Sequence, residues 1–182
     1  MSDAQPASVY DLAHAEEAES LATFAILVDN EPGVLHRLVG LFAARGYNIE
    51  SLTVAETDRR AHTSRVTIVT RGAPHVLAQI EAQLTKMVAA RHVQDITRDP
   101  NGLERELALV KVKGTGADRV EALRIADIFR AKVLDTGIDS FIFELTGASQ
   151  KIDKFVDLMR PLGLVELSRT GVLSITRGGE AI

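Results

Sequence analysis

The order in which hydrophobic periodicity changes along this chain limits its possible folds more than any composition figure does. Residues 21–28 form a short apolar run ended by the turn-forming Asp29-Asn30-Glu31-Pro32-Gly33, which predicts a buried strand leading into a helix. Over residues 34–45, Val34, Leu35, Leu38, Val39, Leu41 and Phe42 recur every three or four positions until Gly46, the pattern of an amphipathic helix closed by a glycine. Residues 47–56 and 62–70 read as two strands around the polar turn Thr57-Asp58-Arg59-Arg60, the second with alternating Val66, Ile68 and Thr70. Pro74 opens a second helix with Leu77, Ile80, Leu84 and Val88 on its inner face, and residues 92–97 read as a closing strand. Strand, helix, strand, strand, helix, strand in about 77 residues is the split-βαβ, or ferredoxin-like, arrangement.

Asp99-Pro100-Asn101-Gly102 breaks the pattern, which then begins again. Residues 105–113 carry Leu107, Leu109, Val110 and Val112 as a strand. Asp118 precedes Glu121 by the spacing of a capping box, and Val120, Leu123, Ala126, Ile128 and Phe129 form the apolar side of the helix it would open. Residues 131–135 and 140–145 read as strands, 150–160 as a helix and 164–168 as a strand. The fold class expected is therefore α+β, with two ferredoxin-like βαββαβ domains over residues 21–98 and 103–182. Residues 1–20 read as a flexible acidic extension, with neither the basic start nor the apolar run of a secretion signal or membrane span.

Two small cores need many apolar side chains, and 46% hydrophobic residues in a chain of 182 are enough. Aromatics make up only 4%, without Trp, and the net charge is -4, so base-stacking platforms and cations to displace phosphate counterions are both scarce. Sheets of this topology can bind RNA through aromatics on their central strands, yet residues 23–28 and 63–69 carry Phe24 alone and no basic cluster. Neither nucleic acid nor a membrane is expected as a partner. The absence of cysteine excludes disulfides, thiolate zinc sites and Cys nucleophiles, and fits a cytoplasmic protein.

Catalytic patterns are missing too. Gly114-Thr115-Gly116 stands between a strand and a helix as a dinucleotide fingerprint would, but Arg119 occupies the third glycine's place and a tight turn explains the residues. His14, His36, His62, His75 and His92 contain no i, i+4 pair, so no metal ligand is assigned. No serine lies in a G-x-S-x-G elbow, and the acids occupy the extension, the turns and polar helix faces. No catalytic residue is assigned, and the isolated chain is not expected to be an enzyme.

One locus carries binding chemistry. The stretch Asp29-Asn30-Glu31-Pro32-Gly33-Val34-Leu35 brings a strand end, a polar Asn, a permissive Gly and the first turn of a helix to one point. Unpaired N–H groups and the positive end of the helix dipole there suit a carboxylate. An Asn30 that only caps the helix and a Gly33 that only eases the turn would explain the same residues.

That stretch, continued by His36-Arg37 and then by Leu41-Phe42-Ala43-Ala44-Arg45-Gly46-Tyr47-Asn48-Ile49-Glu50-Ser51-Leu52-Thr53-Val54, resembles the start of acetolactate synthase small subunits. The run G-Y-N-I-E-S-L-T-V is highly specific. Agreement continues at Ser64-Arg65-Val66-Thr67-Ile68, Arg105-Glu106-Leu107, Leu109-Val110-Lys111-Val112, Ile128-Phe129-Arg130 and Ser168-Arg169-Thr170-Gly171-Val172, covering about residues 21–177.

The resemblance implies that residues 21–98 are an ACT domain, a ferredoxin-like module that dimerises and binds an amino acid between paired copies. It implies a catalytic large subunit as partner, carrying thiamine diphosphate, magnesium and FAD, none of them on this chain. The small subunit would activate that partner and convey feedback inhibition by valine or another branched-chain amino acid. Carried over by position, the ligand site falls on Asn30, Gly33 and Val34 of one chain with Asn48 and Ile49 of its neighbour. The N–H groups of Gly33 and Val34 would meet the carboxylate, the Asn30 and Asn48 oxygens the ammonium, and Ile49 the apolar side chain. A stand-alone ACT-type amino-acid sensor acting on another partner is the alternative.

Overall fold

A computed structural model describes residues 18–179, so most of the expected 20-residue extension lies outside the described residues. The first half comprises β1 (Ser20–Asp29), α1 (Val34–Ala43), β2 (Ser51–Asp58), β3 (Thr63–Gly72), α2 (Pro74–Thr85) and β4 (Ala90–Asp95). The strands form an antiparallel sheet in the order β2-β3-β1-β4, as the ferredoxin-like reading requires. Alternation along β1 and β3 sends Phe24, Ile26, Val28, Val66 and Ile68 to one face, where Leu38 and Phe42 of α1 and Leu77, Ile80 and Leu84 of α2 cover them.

The second half repeats this order with β5 (Gly102–Lys113), α3 (Gly116–Phe129), β6 (Lys132–Thr136), β7 (Ser140–Gly147), α4 (Ser149–Met159) and β8 (Leu164–Arg169), in a sheet ordered β6-β7-β5-β8. Its core holds Phe141, Phe143 and Phe155, with Phe143 edge-on to Phe155 at 6.2 Å between ring centroids. A ninth strand, β9 (Leu173–Thr176), pairs with the first four residues of β5.

Four local expectations are corrected. Residues 47–50 belong to a turn rather than to β2, because Tyr47 N–H closes back on Phe42 O at 3.0 Å and its ring lies edge-on to Phe42. Val88 is fully exposed, since α2 stops at Thr85 and a tight turn from Leu84 to Ala90 throws that side chain outward. Asp118 does not cap α3: the helix begins earlier, Thr115 is the N-cap, and Glu121 pairs with Arg124 instead. The inner face of α3 is Ala122, Ile125 and Ala126, with Val120 and Ile128 exposed, because the small alanines let the helix approach the sheet closely.

The halves also touch. Thr23, Ala25, Ser51, Thr53, Thr67 and Val69 share the face of the first sheet opposite its helices. Strand β9 and the loop before it lie against this face, where Val172 and Ser174 are buried. The small side chains of the face allow that close approach.

Candidate functional site

Two places carry the five residues singled out by sequence. At the end of β1, Asn30 N–H bonds His62 O at 2.7 Å, Glu31 N–H turns back to Asp29 O, and Gly33 takes a left-handed conformation (φ 83°) as N-cap of α1. No side chain caps this helix, so Asn30 is not a capping residue; its Nδ2 donates to Glu56 Oε1 at 3.3 Å. The Asn30 Oδ1 is thereby left as an acceptor. Space around Gly33 is open: a Cβ there would meet only Arg37 Nη1, at 4.0 Å. Val34 N–H is engaged by Glu31 O at 3.2 Å, so of the two proposed donors only Gly33 N–H lacks a partner among the described residues. Beyond it the first-turn N–H groups of Leu35 and His36 have no carbonyl within the helix to bond.

Before β2, the side chain of Asn48 is exposed, its Nδ2 donating to Glu50 Oε1 at 3.1 Å, which again leaves the amide oxygen outward. Its backbone is held by Thr70, whose fully buried Oγ1 donates to Asn48 O at 2.6 Å. Ile49 is half-buried against the first core.

The two places lie at opposite ends of one sheet. Asn30 bonds His62, just before β3, whereas Asn48 is bonded by Thr70 near its end. Eight residues of strand separate those anchors, roughly 26 Å at about 3.3 Å per residue. Within one chain Asn30, Gly33 and Val34 come together, Asn48 and Ile49 come together, and the two groups do not meet. Sequence reading missed Arg37 and Thr70 as supports. Arg37 was signalled by its position four residues after Gly33, on the same helical face, while Thr70 depends on register and had no local signal.

The equivalent corner of the second half is crowded at its strand end. A Cβ at Gly114 would meet Leu162 O at 3.3 Å and Asp118 Cβ at 3.4 Å, and the Arg119 guanidinium lies over the Phe141 ring at 4.0 Å. The Gly114 end of the Gly114-Thr115-Gly116 turn is therefore crowded, whereas a Cβ at Gly116 would meet nothing within 4 Å. Among the described residues no three His, Asp or Glu side chains are grouped to hold a metal ion, and no helix is long and apolar enough to cross a membrane. A cleft of about 610 Å³ lies along β4, lined by Glu81, His92, Asp95, Arg98, Asp99 and Arg177 among others, a mixture of both charges remote from Gly33.

Comparison with known proteins agrees across nearly the whole chain. Residues 24–90 match the family described as the AHAS small subunit-like ACT domain, and residues 105–178 match the family described as the small subunit of acetolactate synthase. The small subunit of acetolactate synthase isozyme 3 from Escherichia coli is 43% identical over 155 residues, 85% of this chain and 94% of that one. The acetolactate synthase small subunit of Mycolicibacterium smegmatis is 37% identical over 88% of this chain and 93% of its own. The crystal structure of the acetolactate synthase small subunit from Thermotoga maritima superposes with a TM-score of 0.77 at 36% identity, covering 88% of this chain and 99% of that one.

Proposed function

This chain belongs to the family of acetolactate synthase small subunits, and we propose that it is a cytoplasmic regulatory subunit whose residues 21–98 bind valine, or another branched-chain amino acid, across a homodimer. The observation that carries the reading is the separation of the two half-sites. A ligand touching Asn30, Gly33 and Val34 cannot also touch Asn48 and Ile49 of the same chain. It can touch those of a second copy if two β2 strands pair antiparallel at their edges, because residues 48 and 49 of one copy then fall beside Glu56 and Asn30 of the other. Strand β2 is an unpaired edge with Val54 exposed, and Leu35 and Val39 expose a second apolar pair one helical turn apart on α1.

The chemistry at the joined site suits a zwitterion. Gly33 N–H, the positive end of α1 and the Arg37 guanidinium face a carboxylate. The Asn30 and Asn48 oxygens, aimed outward because Glu56 and Glu50 hold their amide nitrogens, accept from an ammonium group. Residues 103–182 form the second domain. The catalytic large subunit supplies thiamine diphosphate, magnesium and FAD, and this chain activates it and makes it sensitive to the effector.

Calorimetric titration of the purified chain with valine, leucine and isoleucine, paired with sedimentation velocity, tests this. Saturable binding by a dimer is expected; a monomer that binds as tightly would refute the shared site. With all three cofactors supplied, the chain alone should form no acetolactate from pyruvate. Measurable turnover would overturn the non-catalytic role.

A further inference from the structure

Building on the effector site just proposed, we propose that the loop Thr170-Gly171-Val172 is the bearing through which ligand binding is transmitted to the second half, and that Ser51 and Thr53 of β2 are its seats on the first. Strand β2 begins two residues after Ile49, so any ligand-driven movement of Asn48 and Ile49 enters this strand directly. Ser51 and Thr53 are opposite Val69 and Thr67, on the sheet face away from the helices. There Val172 N–H donates to Ser51 Oγ at 3.1 Å, and Thr53 Oγ1 donates to Thr170 O at 3.3 Å.

The approach is close enough that only glycine fits between the seats. Gly171 has φ 78°, and a Cβ there would stand 2.5 Å from Ser51 Oγ and 2.9 Å from Thr53 Oγ1. The far side of the loop is equally fixed. Thr170 exchanges two bonds with Leu107 of β5, donating its N–H to Leu107 O at 3.0 Å and accepting Leu107 N–H on Oγ1 at 3.1 Å. Arg169 makes a bidentate pair with the buried Glu106, at 2.6 and 2.7 Å, and a further bond to Asp153 of α4 at 2.7 Å. A shift of β2 is therefore carried into β5, β8 and α4 rather than absorbed by the loop. Glu50, which holds the Asn48 amide, and Arg169 line the same cleft of about 360 Å³ at this junction. The effector residues and the clamp thus share one small region.

Hydrogen–deuterium exchange of the full chain with and without L-valine tests the bearing, with calorimetry on the same samples. In the natural protein, valine should change exchange of the residue 170–174 amides, Val172 N–H above all, by at least about threefold. In the S51A/T53A double variant, valine should bind within about twofold of the natural affinity, because neither side chain touches the ligand. The exchange response at residues 170–174 should vanish in the double variant. Reconstituted with a catalytic subunit, the double variant should lose inhibition by valine while still activating. Valine binding without any exchange response at residues 170–174 in the natural protein, or a full response in the double variant, would overturn the bearing. Absence of valine binding to the natural protein would instead sink the effector reading beneath it.

Discussion

The turns from β1 into α1 and from β5 into α3 are the same place in two copies of one topology, and both have an open glycine of positive φ at the helix start, Gly33 and Gly116, yet only the second is crowded at its strand end, around Gly114. In the first half the strand-to-helix turn leaves space at Gly33, bordered only by Arg37 at 4.0 Å. In the second half Leu162 O, Asp118 and Arg119 crowd Gly114, and the 3₁₀ turn Arg160–Leu162 that supplies Leu162 has no counterpart before β4. Residues 103–182 also contain no asparagine, so the amide acceptors proposed for the ammonium group are missing there. Topology sets where a ligand corner can be, while the residues that line or fill the corner decide whether one exists.

The strongest way to probe the comparison is to unbalance the cores. Phe143 is fully buried and stacks on Phe141 at 5.4 Å, so Phe143→Ala should cost the second half about 3–5 kcal/mol. Urea unfolding followed at two probes should then show the second half melting first, with valine still bound by the first. Simultaneous melting and loss of binding would mean that the halves act as one cooperative unit.

Gly33→Asp and Gly116→Asp form a matched pair, because both glycines have positive φ (83° and 56°) and neither has a close neighbour to block a Cβ. Backbone strain of about 1–2 kcal/mol is common to the two variants. Only Gly33→Asp places a carboxylate where the ligand's own would sit. Valine affinity should fall about 100-fold or more in Gly33→Asp, with inhibition lost and activation largely spared. Gly116→Asp should leave affinity unchanged. Equal losses in the two variants would trace the effect to strain and remove Gly33 from the site.

Asn48→Ala removes one charge-assisted acceptor, worth about 1.5–3 kcal/mol, so the valine dissociation constant should rise roughly 10- to 150-fold. The dimer should persist, since Thr70 holds the Asn48 backbone rather than its side chain. An unchanged constant in a folded dimer would separate Asn48 from the ligand.

Much of this contrast was legible in the sequence, for identifiable reasons. The first helix and its core residues Val34, Leu38 and Phe42 follow from a clean three- and four-residue spacing. The positive φ at Gly33 agrees with the glycine chosen there. On α3 the sequence reading placed Ala126 and Phe129 inward correctly, but it took Val120, Leu123 and Ile128 for core and passed over Ala122 and Ile125, because large side chains outweigh alanine in a hydrophobic pattern. Strand β9 went unseen because it is four residues long, with the apolar Leu173 and Ile175 exposed and the polar Ser174 buried, and it pairs with Gly102–Arg105 across some 70 positions of chain. The crowding at Gly114 could not be read either, since it depends on Leu162 arriving from another element.

The smallest effect expected concerns acid, and it too should divide the halves. Among the first half's ion pairs, Arg37 with Glu31 and Arg91 with Asp29 are substantially exposed and worth at most about 1 kcal/mol each, while the buried Asp95 pairs with a half-exposed Arg98. The second half has Glu106, 4% exposed and paired with Arg169. Burial pushes the Glu106 carboxyl up, but hydrogen bonds from Arg169, Ser149 and Gly171 N–H and the charge of Arg169 pull harder, and the group sits below its ordinary value of 4.5. A depressed carboxyl pKa contributes stability that is fully present above 4.5 and is lost as pH falls through the folded value. Arg169 is raised by the same pairing and stays charged throughout, so it adds no titration of its own. Acidification below about pH 4.5 should therefore weaken the second half more than the first. Glu106→Gln should cost about 1–2 kcal/mol at neutral pH, less than a fully buried pair because Asp153 still holds Arg169. The variant's second transition should then lose much of its dependence on pH in that acid range. The check is urea unfolding of both proteins at several pH values between neutrality and pH 3, with separate probes in each half. An equal acid sensitivity in natural protein and variant would show that the titrating group lies elsewhere.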